Sequence, residues 1–277
     1  DYALVSDTIA KLNATYPDLD TSTIDLNADG VVDNLLIVPT AKADGTFTSH
    51  KSVAAGWSSQ VGSTAAKDVV SYNVVETTFD DSSGSVMDSL DYETVAHEYL
   101  HSLGVPDLYR RWGNTAGSPV GVWDIMATSG ARSWPLAVTR EQLGWTSIAD
   151  RTGVGSYTLY APDSGNEQAI VLKAPLSESE YFVVEYRRKN TGVTAGDTRI
   201  GGSGLIVYRV NPAYVEEGNA GGNDYIYVFR NGETGISDSA GDVANAQVGT
   251  ESYGAPRQSI GSADMTADIT EGALCYS

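Results

Sequence analysis

In the stretch His97-Glu98-Tyr99-Leu100-His101-Ser102-Leu103-Gly104-Val105-Pro106-Asp107, two histidines stand four positions apart. On a helix that spacing puts both side chains on one face, one turn from each other. Two neutral imidazole nitrogens so placed can share one zinc ion. Glu98 directly follows the first histidine, where its carboxylate could take a proton from zinc-bound water. Gly104 suits the left-handed end of a helix, and Pro106 stiffens the returning segment. Asp107, six positions after His101, then lies where the reversed chain can supply a third ligand.

The flanking residues favour a helix. Asp88 and Ser89 are candidate N-caps, and Asp91 adds negative charge to the first turn. Tyr92, Ala96, Tyr99, Leu100 and Leu103 recur at helical spacing, which predicts an apolar face with His97 and His101 beside it. A bare H-E-x-x-H string also arises by chance on ordinary surface helices. The full string is more specific, because the chain has only 3 histidines and two of them fall here.

The pattern H-E-x-x-H-x-x-G-x-x-D resembles the metzincin signature with aspartate in place of the usual third histidine. The longer string HEYLHSLGVPDLY, from His97 to Tyr109, resembles the immune inhibitor A-type secreted metallopeptidases of bacteria. Gly121 to Ala127 resembles that family's W-D-x-M-A element, and the resemblance implies that Met126 forms a Met-turn beneath the metal. Further similar blocks are DLNADGVVDNLLIV (Asp25 to Val38), YFVVEYRRKNTG (Tyr181 to Gly192) and GGSGLIVYRVN (Gly201 to Asn211). The resemblance implies a secreted zinc endopeptidase acting on proteins or peptides. The last ~65 residues fall outside these blocks.

Composition frames that expectation. The chain has 277 residues, enough for one large domain or two moderate ones. Lys plus Arg number 17 against 36 Asp plus Glu, a net charge of -19 that argues against nucleic-acid partners, which need a basic footprint. It fits an extracellular protein kept soluble by self-repulsion. No apolar run is long enough for a membrane span, and no basic-then-apolar leader opens the sequence. Cys275 is the only cysteine, which excludes an intrachain disulfide. Oligomeric state leaves no trace in the sequence.

Residues 1–150 read as a domain of α+β class, for which the resemblance implies a metzincin-like catalytic fold with a mixed sheet and an active-site helix. Leu4, Thr8, Ile9 and Leu12 predict a first amphipathic helix, and Leu35 to Val38 a buried strand. Val69 to Val75 is a second β-type run, and a short helix is expected from Leu136 to Leu143. Residues 151–277 read as a β-rich, sandwich-like region packed on the first domain. Its β-type runs are Gly155 to Tyr160, Ala169 to Leu172, Tyr181 to Arg187, Gly204 to Val210 and Asp224 to Arg230. Glu185 with Arg187 and Arg188 looks like a strand charge pattern without a catalytic part.

A second constellation is Asp25-x-Asn27-x-Asp29-Gly30-Val31-x-Asp33. Alternating oxygen side chains before a glycine match the first half of an EF-hand-type loop, with Val31 offering its carbonyl. Leu36 stands where such a loop carries its bidentate glutamate, so a full EF-hand is not expected. The expectation is structural calcium, and the alternative is an Asx-rich turn capping the next strand without an ion. Tyr109 could reach an oxyanion or pack its loop. His50 is a candidate for lining the cleft, or a structural histidine. Asp80-Asp81 reads as a solvated turn, with a second calcium site as the lesser possibility.

Metal-assisted peptide hydrolysis is the expected chemistry, with His97, His101 and Asp107 on zinc and Glu98 as base. Its rivals are a catalytically inactive protease-fold module, such as an adhesin, and a zinc hydrolase of small molecules.

Overall fold

The first helix forms where the apolar spacing placed it. Helix α1 (Tyr2–Thr15) buries Val5 and Ile9, with Leu12 packed against the same core. A computed structural model describes residues 2–39, 49–52, 57–75, 77–78, 89–90, 92–110, 118–151, 155–173, 177–192, 196–220, 224–229 and 248–251. The chain falls into two compact units, Asp1–Gly104 and Val105–Ser277.

Among the described residues of the first unit, seven short strands follow α1: β1 (Leu36–Ile37), β2 (Ser49–Ser52), β3 (Gln60–Val61), β4 (Lys67–Asp68), β5 (Ser71–Val74), β6 (Thr77–Thr78) and β7 (Ser89–Leu90). Helix α2 (Tyr92–Ser102) closes the unit. Strand β5 is the centre of a mixed sheet ordered β1-β5-β2, parallel to β1 and antiparallel to β2. Val32, Ile37, Val61, Val69, Tyr72 and Val74 join Val5 and Ile9 in one core, so α1 is held by burial of its apolar stripe. Ser89 lies in a strand and the helix starts at Tyr92, so Ser89 does not cap it; Asp88, Asp91 and Asp80-Asp81 lie outside the described residues.

The second unit contains helix α3 (Ala137–Gln142) and strands β8 (Ala149–Asp150), β9 (Ala169–Lys173), β10 (Tyr181–Arg187), β11 (Ser203–Val210), β12 (Ile226–Val228) and β13 (Val248–Glu251). They form one sheet ordered β12-β11-β10-β9-β8, with β13 also on β11. Only β8 and β9 run parallel; the other pairs are antiparallel. The expected run from Gly155 to Tyr160 forms no strand. Instead, the Tyr160 N–H donates to the Glu167 carbonyl at 2.9 Å across the turn at Pro162–Ser164.

Period-2 alternation sorts the sheet's side chains. Phe182, Val207, Tyr227 and Phe229 make a core on one face, with Leu172 and Val184 packed on it. Val183, Glu185 and Arg187 point to the other face, and all three are buried. There the Glu185 carboxylate accepts from the Ala137 N–H at 2.8 Å, from Arg140 at 3.0 Å and from the Tyr208 hydroxyl at 3.0 Å. Burial, reinforced by the Glu185 charge, pushes the Tyr208 phenol well up, so it stays a donor. The Arg187 guanidinium holds Asp197 in a two-point ion pair and donates to the Trp123 carbonyl at 2.8 Å.

This polar layer ties residues 123–140 to the sheet that follows them. Strand β8, ending at Asp150, is hydrogen-bonded into that sheet beside β9. Among the described residues of this unit there is one sheet rather than a facing pair.

Candidate metal centre

Helix α2 buries an unexpected face. Tyr92, Tyr99 and Leu103 are exposed, while Glu93, His97, Glu98 and Leu100 are buried. The apolar positions that predicted the helix are therefore largely its outer surface. Its inner surface carries imidazole and carboxylate, residue types that a water-soluble helix turns outward unless they have partners within. Gly104 follows with φ +83, a backbone region that L side chains adopt only with strain. Its N–H donates to the His101 carbonyl at 3.0 Å, closing the helix as the chain reverses.

That reversal brings Asp107 to the histidines. One ligand atom each of His97, His101 and Asp107 lie within 4.8 Å of one another, and they are the one such metal-capable group among the described residues. His97 and Asp107 are buried and His101 is half-buried. The two imidazole rings stand perpendicular, their centroids 4.9 Å apart. Two imidazoles and one carboxylate leave the fourth corner of a tetrahedron for water, the donor set of a hydrolytic rather than a closed structural zinc site. Glu98 is buried beside this group on the same helix.

The chain's third histidine joins the other two. His50, on β2, lies opposite Asn73 of β5, and its Nδ1 is 2.7 Å from the Asn73 side-chain oxygen. The Asn73 amide donates onward to the Ser102 hydroxyl at 2.8 Å, next to His101. The His50 ring centroid is 5.7 Å from that of His101, yet His50 is not in the three-residue group. Asn73, fixed at the middle of the sheet, was not singled out from the sequence; its polar side chain inside the apolar run Val69 to Val75 was the available signal.

Met126 is fully buried, and its backbone connects to the site. The Leu108 N–H, one residue past Asp107, donates to the Met126 carbonyl at 3.0 Å. Asp124 fixes this turn: its carboxylate accepts from the N–H groups of Met126 at 2.8 Å and Leu136 at 2.7 Å. Tyr109 is half-buried two residues beyond Asp107.

Residues 15–150 match the catalytic domain of the immune inhibitor A peptidases, family M6. The match supports an immune inhibitor A-type metallopeptidase. It supports a peptidase hydrolase of metallopeptidase type, an activity that implies protein substrates. No curated protein and no solved structure gave a match. Among the described residues no helix is long and apolar enough to cross a membrane.

The Asp25 to Asp33 loop is built differently from the calcium reading. Asp25 accepts from the N–H groups of Asp29 and Gly30, each at 3.0 Å, and from the Lys67 ammonium at 2.6 Å. Asp29 accepts from the Val31 N–H at 2.9 Å, and Asp33 from the Leu26 N–H at 2.8 Å. Asn27 accepts from the Asp29 N–H at 3.2 Å and donates to the Asp29 carboxylate at 2.9 Å. The oxygens thus cap their own loop, and the positive charge among them is Lys67. Its hydrogen bond holds the Asp25 carboxyl below the usual range. This geometry matches the Asx-turn alternative and lends the calcium expectation no support.

Proposed function

We propose that the chain is a secreted, zinc-dependent endopeptidase in which Glu98 is the general base. The observation that carries this reading is the buried convergence of His97, His101 and Asp107 with Glu98 on the same helix. His97, His101 and Asp107 would hold the ion, with one position left for water. What a bound zinc supplies is Lewis acidity, which brings the pKa of its water towards neutrality. The negative charge of Asp107 tempers that acidity relative to three histidines, so proton removal leans more on Glu98. The Glu98 carboxylate takes the water proton as the oxygen attacks the scissile carbonyl carbon, then delivers it to the leaving amine nitrogen.

Met126 serves as a hydrophobic floor, since a thioether is a poor partner for zinc beside imidazole and carboxylate. His50 and Tyr109 are proposed as cleft residues that meet the substrate. Extracellular action is supported by family likeness and by the acidic balance of the chain. An inactive module would be expected to have lost a ligand or Glu98, and all four residues are present.

Digestion of casein by wild type and Glu98→Gln, with zinc content measured on both, tests the assignment. The variant should keep zinc and lose at least about 100-fold in turnover, the lower end for losing a general base. Substantial hydrolysis by the variant would remove Glu98 from the role.

A further inference from the structure

The third ligand is held by a segment more than a hundred residues away in sequence. Strand β11 ends at Val210, and the chain then turns through Pro212–Tyr214 before reaching Asn219. The Asn219 backbone N–H donates to the Asp107 carbonyl at 2.9 Å. Its side-chain amide donates to the Leu108 carbonyl at 3.0 Å and to the Ile226 carbonyl at 2.8 Å, while its oxygen accepts from the Ile226 N–H at 3.0 Å. Asn219 is 0 % exposed, so these bonds form away from water, where losing one leaves a polar group stranded.

Gly218 fits the same clamp. Its φ is +62, and a Cβ there would meet the Asp107 carbonyl oxygen at 2.1 Å, so only glycine lets the two backbones approach. With the Leu108 N–H bonded to Met126, the Asp107–Leu108 backbone is fixed at three points: one to Met126 and two to Asn219.

We infer that Gly218 and Asn219 are positioning residues for the third metal ligand, setting where the Asp107 carboxylate stands by clamping its backbone. The inference rests on the reading of Asp107 as a ligand. It assigns a role in the metal centre to residues well beyond the matched segment 15–150. The physical basis is that a ligand carried by a returning loop, unlike one on a helix, has no regular hydrogen-bond ladder to hold it. Loss of a residue that orients a ligand typically costs about 10- to 100-fold in metal affinity or activity.

The test is zinc affinity by chelator competition, with the absorption spectrum of the cobalt-substituted protein as the geometric readout. Wild type, Asp107→Ala, Asn219→Ala and the double variant are compared. Phe182→Leu, a destabilising change on the sheet's other face, controls for stability. Asn219→Ala should lose about 10- to 100-fold in zinc affinity and alter the cobalt bands. The double variant should bind no more weakly than Asp107→Ala, since the clamp acts through that ligand. Phe182→Leu should melt earlier with unchanged affinity.

Wild-type affinity and spectrum in Asn219→Ala, alongside zinc loss in Asp107→Ala, would overturn the clamp alone. Undiminished zinc binding by Asp107→Ala would overturn the ligand reading instead. If Asn219→Ala does not fold, Gly218→Ala, whose Cβ would displace the Asp107 carbonyl without burying a charge, is read by the same outcomes.

Discussion

Asp124 shows how much a single side chain can carry without touching substrate. It is fully buried, and its two oxygens accept from the N–H groups of Met126 and Leu136. Burial pushes its carboxyl up to about 6, opposed by those two hydrogen bonds and by the Arg187 charge. The folded protein therefore holds this proton more tightly than the unfolded chain, whose carboxyl titrates near the ordinary value of about 4. Its contribution to stability is present below about pH 4 and lost as the pH rises through about 6. In metal-free protein, the stability difference between wild type and Asp124→Asn should therefore fall by about 2 kcal/mol from pH 4 to pH 7. Urea unfolding across that range measures it; a flat difference would mean that the carboxyl titrates normally.

At the scale of elements, the Asp25 to Asp33 loop and helix α2 teach opposite lessons. The loop matched an ion-binding pattern in sequence, yet its oxygens fold back on their own N–H groups and on Lys67. A pattern of oxygen side chains cannot distinguish an ion from a lysine, because Lys67 lies 42 residues from Asp25 and only the fold brings it there. Melting temperatures in calcium and in a calcium-selective chelator should accordingly agree. A calcium-dependent rise of several degrees would restore the ion. Helix α2 was correctly placed by its apolar spacing, but the face that spacing marked is mostly exposed. Spacing reports that a helix forms, whereas the residues it must bury for function answer to chemistry. The alternation of Tyr181 to Arg187 gave β10 its bounds, while the partners of Glu185 and Arg187 come from residues 123–140 and 197 and could not be read locally.

For the molecule as a whole, the sequence made the reaction far more legible than the architecture. The α+β class and the convergence of His97, His101 and Asp107 were legible in short-range spacing, whereas the mixed sheet pairs residues 37 apart, Leu36 with Asn73. The extent of the catalytic apparatus was not legible there. Residues 105–150 are bonded to the chain that follows them, Arg140 to Glu185, the Trp123 carbonyl to Arg187 and the Leu108 carbonyl to Asn219. The matched peptidase segment thus depends on later residues whose contribution is visible only once the chain is folded. The proposed active site is one zinc ion held by His97, His101 and Asp107. Zinc titrated into chelator-stripped protein, followed by peptide cleavage, tests this most directly. Activity should be absent at the start, rise in proportion to zinc and stop rising at one equivalent. Full activity in the stripped protein, or none at saturating zinc, would contradict it.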